Sequence, residues 1–280
     1  MSERRVVQFI HPGDEHGADR WHSGVGWKGW NYGDHKRKFL RASGSWTRNP
    51  KNAPTTGSFT FWGEWEPQSR VSRLVPRTER HPKYLHFPQL DLEALKTLTK
   101  RTGLSCNAKD GAQNTDPLVF GARFFYVLCQ QPVKKTLRSL STGDIILFGS
   151  HKGENFMLDT VFVVGVHAPI RRGGTLPNWE SELHRQITMD LAEIPGCGLR
   201  LYGGETWSPE KPFSFVPCRP TEPQPIGFAR PVIRHPLISS TLRQGCKIET
   251  VERAREVWDA IVQQVLSQDC VLGTAVDEPD

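Results

Sequence analysis

Apolar positions divide the chain into segments of different period. Val6-Val7-Gln8-Phe9-Ile10 and Ser58-Phe59-Thr60-Phe61-Trp62 are short runs of β-branched and aromatic residues, and each predicts a strand. Between them Gly, Trp and charged residues mix with no helical or strand period, which predicts ordered loops. Over 91–101 the spacing of Leu92, Leu95 and Leu98 predicts a helix with Asp91 as its cap. Residues 123–129, 144–148 and 156–166 predict three strands, the last two joined by a hairpin loop over 149–154. Leu183, Ile187 and Leu191 predict a helix over 179–193, and 199–202 and 213–216 read as two more strands. After Thr250, the residues Val251, Ala254, Val257, Trp258, Ile261, Val262 and Val265 recur at i, i+3, i+4 and i+7. They predict a helix over 250–268 capped by Thr250. Val276 to Asp280 predict a frayed acidic tail.

Strands crowd the centre and helices occur singly. That combination predicts an α+β fold with a strongly bent or barrel-like mixed sheet; an α/β three-layer arrangement is the alternative. No repeat or linker divides the chain, so 1–280 reads as a single large domain. Within it, 1–90 is a loop-heavy part rich in Trp, His and basic residues. Residues 91–280 hold the sheet core and the C-terminal helix.

Composition narrows the class. The 280 residues carry a net charge of +6, with 37% hydrophobic and 24% charged residues. Such a balance excludes a disordered chain. No run approaches the roughly 20 apolar residues of a spanning helix. The N-terminus has no apolar leader, and the six cysteines form no C-x-x-C pair. The expected setting is the cytoplasm, with reduced thiols. Six of the nine Trp precede residue 66, and six of the ten His precede residue 90. The candidate chemistry therefore concentrates near the N-terminus.

Four constellations could carry that chemistry. His11-Pro12-Gly13-Asp14-Glu15-His16 puts two imidazoles and two carboxylates on a turn after a strand. It could bind a metal or supply an acid/base pair, although Pro-Gly forbids helical ligand spacing. Phe61-Trp62-Gly63-Glu64-Trp65-Glu66 flanks Glu64 with indoles. Desolvation there would raise the carboxyl pKa, and Trp62 and Trp65 could stack on a base or a sugar. In strand period Trp62, Glu64 and Glu66 share one face. Lys36, Arg37, Lys38 and Arg41, with Phe39 and Trp46 near them, suit phosphates and a base face. Lys134 and Lys135, with Arg138, form a second basic group; Arg171 and Arg172 form a third. Asp159 is an acid inside an apolar strand and must be paired, protonated or functional. No cysteine has a histidine partner in sequence, so no covalent nucleophile is assigned. No G-x-G-x-x-G or P-loop pattern is present, so no cofactor is expected.

Gly-Asp-Ile-Ile-Leu-Phe-Gly-Ser over 143–150, followed by 156–165, resembles the strand pair of small PUA-like barrels of the ASCH and EVE kind. The resemblance implies a pocket for an RNA base or a modified DNA base. The His-Pro-Gly-Asp-Glu-His, His-Lys-Arg-Lys-Phe and Phe-Trp-Gly-Glu-Trp-Glu-Pro-Gln-Ser blocks resemble prokaryotic proteins of nucleotide modification and phage defence. Some of those are DNA glycosylases that excise glucosylated cytosines. The chain matches no catalytic motif of the uracil-DNA glycosylase superfamily.

The resulting expectation is a DNA glycosylase acting on a flipped, hypermodified base. Glu64 or Asp159 would be the carboxylate, and Trp62 and Trp65 the stacking pair. His11, Asp14 or Glu15 would orient water, and the basic groups would hold phosphates. A PUA-like reader without catalysis is the first alternative. A metal-dependent hydrolase built on His11, Asp14, Glu15 and His16 is the second. The partner is nucleic acid, DNA ahead of RNA, with no membrane and no obligate protein partner; the glycosylase itself needs no metal.

Overall fold

The structure is a computed structural model. It describes residues 3–33, 35–74, 83–101, 112–171, 174–191, 198–221, 228–239 and 244–280. In chain order its strands begin with β1 (Glu3–Ile10), β2 (Arg20–His22), β3 (Val25–Lys28), β4 (Lys38–Thr47), β5 (Thr55–Gly63), β6 (Ser69–Arg73), β7 (Tyr84–Pro88) and β8 (Phe125–Tyr126). They continue with β9 (Ile145–Lys152), β10 (Asn155–Ile170), β11 (Leu199–Gly204), β12 (Val216–Pro220), β13 (Val232–Ile233), β14 (Gln244–Thr250) and β15 (Val271–Val276). The helices are α1 (Leu92–Arg101), α2 (Glu182–His184) and α3 (Val251–Leu266). The fold is α+β with a barrel-like core.

One sheet runs β14-β1-β9-β10-β11-β8, with β1 and β9 parallel. Both faces of its centre are covered. Val6, Ile145, Leu147, Val161 and Val163 pack with Ala254, Val257, Trp258 and Ile261 of α3. Val7, Phe9, Ile146, Phe148 and Phe162 pack with Phe120, Phe124 and Tyr126 on the other side. Strands buried on two faces need apolar residues at every position, which is why 144–148 and 156–166 read as continuous runs. The β9–β10 connection tightens to two residues, Gly153 and Glu154, because Lys152 already pairs with Asn155. Gly153 takes φ +60°, as such a turn demands.

The second sheet runs β15-β12-β5-β4-β7-β6-β3-β2. It closes on itself where β15 also pairs with β4, making a four-stranded barrel of β4, β5, β12 and β15. Closure needs Gly44: a Cβ there would lie 2.2 Å from the Ala275 carbonyl oxygen. The barrel joins distant parts of the chain, since β4 and β5 come from 1–90 and β12 and β15 from the C-terminal region.

Several expectations are corrected by this architecture. The stretch between the first two predicted strands holds β2, β3 and β4 rather than loops alone. β3 alternates between exposed and buried positions once paired, but Gly and charge hide that alternation in sequence, and β2 is exposed throughout. Only Phe125–Tyr126 of 123–129 is strand, because the backbone of 127–129 is bound instead by a carboxylate described below. The helix expected over 179–193 is reduced to α2 and a π turn over Arg185–Met189; residues 192 and 193 lie outside the described residues. The C-terminal tail is not frayed. Val276 ends β15, Asp277 N–H donates to Ser43 O at 2.8 Å, and Asp280 O accepts from Leu90 N–H at 3.1 Å. Leu92 is 46% exposed, so it lies off the buried face of α1; the side chain of Leu98 lies outside the described residues. α3 holds its predicted face, and the Thr250 hydroxyl accepts from Arg253 N–H at 3.2 Å. No helix among the described residues is long and apolar enough to cross a membrane.

Candidate functional site

β1 ends at Ile10, and His11 continues its line: His11 N–H donates to Gly149 O at 2.7 Å. The chain then turns at Pro12-Gly13. Gly13 sits against Ser150, whose Oγ would lie 2.9 Å from a Cβ at that position. Past the turn, Arg37 N–H donates to Asp14 O at 3.0 Å, and His16 N–H donates to Arg37 O at 2.8 Å. The start of β4 is thus laid beside the His11 turn. Lys38 pairs with Gly63 at the other end of the β4–β5 hairpin, so Glu64 emerges next to Arg37. The junction of the two sheets therefore brings residues 11, 35–38 and 64–66 together.

A cavity of about 380 Å³ opens at this junction. His11, His35, Arg37, Glu64, Asp116 and Cys129 line it, with Phe9, Leu128, Pro132 and Val133 as its apolar wall. Arg37 Nη1 lies 2.6 Å from Glu64 Oε2, and Arg37 Nη2 donates to His11 Nδ1. Glu64 Oε1 accepts from Asp116 N–H at 3.3 Å and lies 3.6 Å from His35 Nδ1. Behind it, Glu66 Oε1 is 3.8 Å from the same imidazole nitrogen, and Glu66 Oε2 is 3.6 Å from Lys38 Nζ. Glu66 and Lys38 are both fully buried.

The charges follow from these contacts. Burial works against a charge on His35, but the Glu64 and Glu66 carboxylates override it and raise its pKa to about 10. His35 therefore faces the pocket as an imidazolium. His11 is the opposite case. Burial, with Arg37 beside it, holds its pKa well below the usual range. Because Arg37 donates to Nδ1, the ring hydrogen sits on Nε2, which points at Cys129 Sγ 3.4 Å away. Burial pushes the Cys129 thiol well up. A Cys–His pair thus exists in space, but His11 has no free nitrogen to take the thiol proton, so Cys129 is not an activated nucleophile. Asp116 is pushed up to about 7, first by burial and also by Glu64, against three backbone donors. Those are Val127 N–H at 2.9 Å, Leu128 N–H at 2.7 Å and Cys129 N–H at 2.5 Å. Asp116 thereby holds the loop that forms the pocket's wall.

No family model, curated protein or solved structure matches the chain.

One donor set here could hold a metal ion. Ligand atoms of His35, Glu64 and Glu66 all lie within 4.8 Å of one another. Yet Arg37 and Lys38 already sit against the two carboxylates, and the His35 proton supplies further positive charge. A divalent cation would have to displace that proton and then face two fixed cations. The donors fit a metal-free ion-pair cluster better.

The predicted site residues divide. His11, Arg37 and Glu64 meet in the pocket. Asp14 is exposed and contributes its carbonyl. Glu15 Oε1 accepts from Tyr84 N–H at 2.7 Å, and His16 Nε2 lies 3.2 Å from Asn31 Oδ1. The His11–His16 donors thus turn to different partners and make no common metal site. Trp62 and Trp65 are 2% and 0% exposed. Trp62 packs edge-on to Phe39 at 4.6 Å, and Trp65 lies 4.7 Å from Phe120. They are core anchors with no free face for a base. Arg37 and Lys38 are buried, whereas Lys36 and Arg41 are half-buried, so the run is not a solvated phosphate strip. Lys134 and Lys135 are exposed directly after the pocket residue Val133. Arg171 is exposed at the end of β10; Arg172 lies outside the described residues.

Asp159 is paired with Arg230 at 2.5 Å, outside the pocket lining, and the guanidinium lies 4.6 Å above the Trp62 ring. Replacing Arg230 by Ala should destabilise the protein by about 3–5 kcal/mol, because a buried carboxylate loses its cation. Asp159→Asn should cost less, since an amide can still accept from Arg230. Urea melts of both variants check this; equal stability of all three proteins would refute it.

His35, Asp116 and Cys129 were missed as site residues. His35 carries one weak signal, its place two residues before Arg37. Asp116 and Cys129 carry none, because only the folded loop brings them to the cavity.

Proposed function

We propose that the pocket receives a base turned out of a DNA strand and that Glu64 promotes hydrolysis of its N-glycosidic bond. The observation that carries this reading is Glu64 itself: a carboxylate 5% exposed, held by Arg37 at 2.6 Å, at the wall of a cavity of about 380 Å³. A cavity of that size accommodates a substituted base, and its apolar wall can cover the base faces. Lys134 and Lys135 at the edge are placed for phosphates.

The reaction moves a base from C1′ of the sugar to water. As the C–N bond breaks, positive charge grows on the sugar, and the fixed Glu64 carboxylate stabilises it. Water adds at C1′, and one of its protons ends on the departing base. His35, protonated at the pocket, can hydrogen-bond the base as it gains negative charge. A carboxyl group near 7 at Asp116 can pass the proton on.

One feature favours a second reading, a reader of modified bases without turnover. Glu64 is already engaged by Arg37, His35 and Asp116 N–H, so its oxygens are occupied by groups of the fold itself. Glucosylated phage DNA and plasmid DNA, treated with the protein and then with alkali, separate the two. Strand breaks confined to the modified DNA support base release. Intact DNA with salt-sensitive binding supports the reader. Absence of both overturns the nucleic-acid reading of the pocket.

A further inference from the structure

A second surface lies on the outer face of β2, β3, β6 and β7. Residues directly opposite one another in an antiparallel pair share a face. Arg20 pairs with Trp27, Trp27 with Arg70, and Arg70 with Phe87. The four therefore form one row across four strands, alternating cation and aromatic. In the neighbouring row Gly26, Val71 and His86 are buried and only Trp21, at its β2 end, is exposed, so on β3, β6 and β7 the Arg20–Phe87 row is the outward one. Trp27 is 42% exposed, and Arg20 and Arg70 are exposed. The Arg70 guanidinium lies 4.7 Å over the Phe87 ring. Asp19, the carboxylate next to Arg20 in sequence, is occupied by Lys28 at 2.8 Å.

Val25, two residues before Trp27 on β3 and so on the same face, is 40% exposed, and exposed apolar side chains gathered on one face mark a binding surface where a single one would not. Alternating guanidinium and ring faces match one ligand chemistry: a polyanion whose monomers carry flat aromatic groups. We infer that this row is a stacking platform for single-stranded nucleic acid, with a base on Trp27 and phosphates at Arg20 and Arg70. The groove beside Trp27 that holds Asp91, Glu93 and Asp280 is acidic. It bounds the track on that side, so the strand runs away from it, over Arg20 and Arg70. This inference goes beyond the pocket's reaction, because an unmodified strand offers no base to excise.

The test is binding of a fluorescein-labelled oligothymidylate of about 20 nucleotides, read by anisotropy and by quenching of indole emission. Wild type should bind with quenching. Trp27→Ala should weaken binding about ten-fold, the loss expected for one stacked base. Trp27→Phe should retain most of the affinity, which separates stacking from misfolding. Arg20→Gln with Arg70→Gln should reduce the slope of log affinity against log salt by about 1.4. The pocket is read separately, by base release from modified DNA, whereas this assay uses an unmodified strand, so failure of the pocket reading and failure of the platform are distinguishable. No binding by wild type overturns the inference. So does binding that Trp27→Ala and the double arginine variant leave unchanged. Preference for a neutral oligosaccharide over the oligonucleotide reassigns the row to sugar and also overturns it.

Discussion

Glu64→Gln is expected to lower base release by about 10²–10³-fold, the range found when one preorganised charge-stabilising group is removed from an active site. The amide keeps the size of the side chain but carries no charge to offset the positive sugar. Binding of the same DNA should change little, because Glu64 acts on charge that exists only as the bond breaks. The substitution also removes the partner of buried Arg37, which still donates to His11. A lower thermal midpoint is therefore expected, and the assay belongs well below that midpoint. Single-turnover release of free base, measured beside DNA affinity, checks the prediction. Wild-type rates in the variant would remove Glu64 from the reaction. Loss of binding and rate in equal proportion would make it a ligand contact only.

Stability should fall steeply below pH 6.5, and His86 should carry much of the fall. His86 is fully buried. Its Nε2–H donates to His16 O at 2.9 Å, and Nδ1 lies 2.9 Å from the Ser69 hydroxyl. Burial, with Lys38 nearby, lowers its pKa to about 3. The unfolded chain takes up a proton near pH 6.5, but the folded chain does so only near pH 3. The stabilisation is thus complete above 6.5 and is lost as pH falls toward 3. Each pH unit inside that window costs about 1.4 kcal/mol, so His86 alone removes about 2 kcal/mol between pH 7.5 and pH 5. His16, lowered to about 4 mainly by burial, acts in the same direction. Urea melts of wild type and His86→Gln at several pH values read the difference. The variant should show a shallower slope, by about one proton. Identical slopes would mean that His86 titrates normally in the folded chain.

Glu64 was visible because a carboxylate between two tryptophans is unusual in any context. The burial of those tryptophans is not legible there, because period alone cannot say whether a strand face meets water or a second sheet. Trp62 and Trp65 lie on opposite faces, and both faces are covered. The basic run at 36–38 reads as a surface for the same reason. Lys38 points at Glu66 inside the fold, a pairing across 28 residues that no local rule indicates. The His11–His16 block reads as one cluster, yet of its four titratable side chains only His11 lines the pocket.

Interactions between neighbours along the chain suffice for strands at β1, β5, β9 and β10, for helix α3 with its Thr250 cap, and for the α+β balance. These follow from side-chain period, β-branching and capping chemistry, which act over a few residues. Which polar groups meet depends on long-range packing. Closure of β4 on β15 and the docking of the His11 turn on Arg37 bring together residues that lie far apart in the chain. Desolvation then leaves His11 neutral and Cys129 a thiol, and the Glu64 and Glu66 carboxylates keep His35 protonated against it. Burial and pairing are properties of that packing, and no stretch of sequence contains them alone.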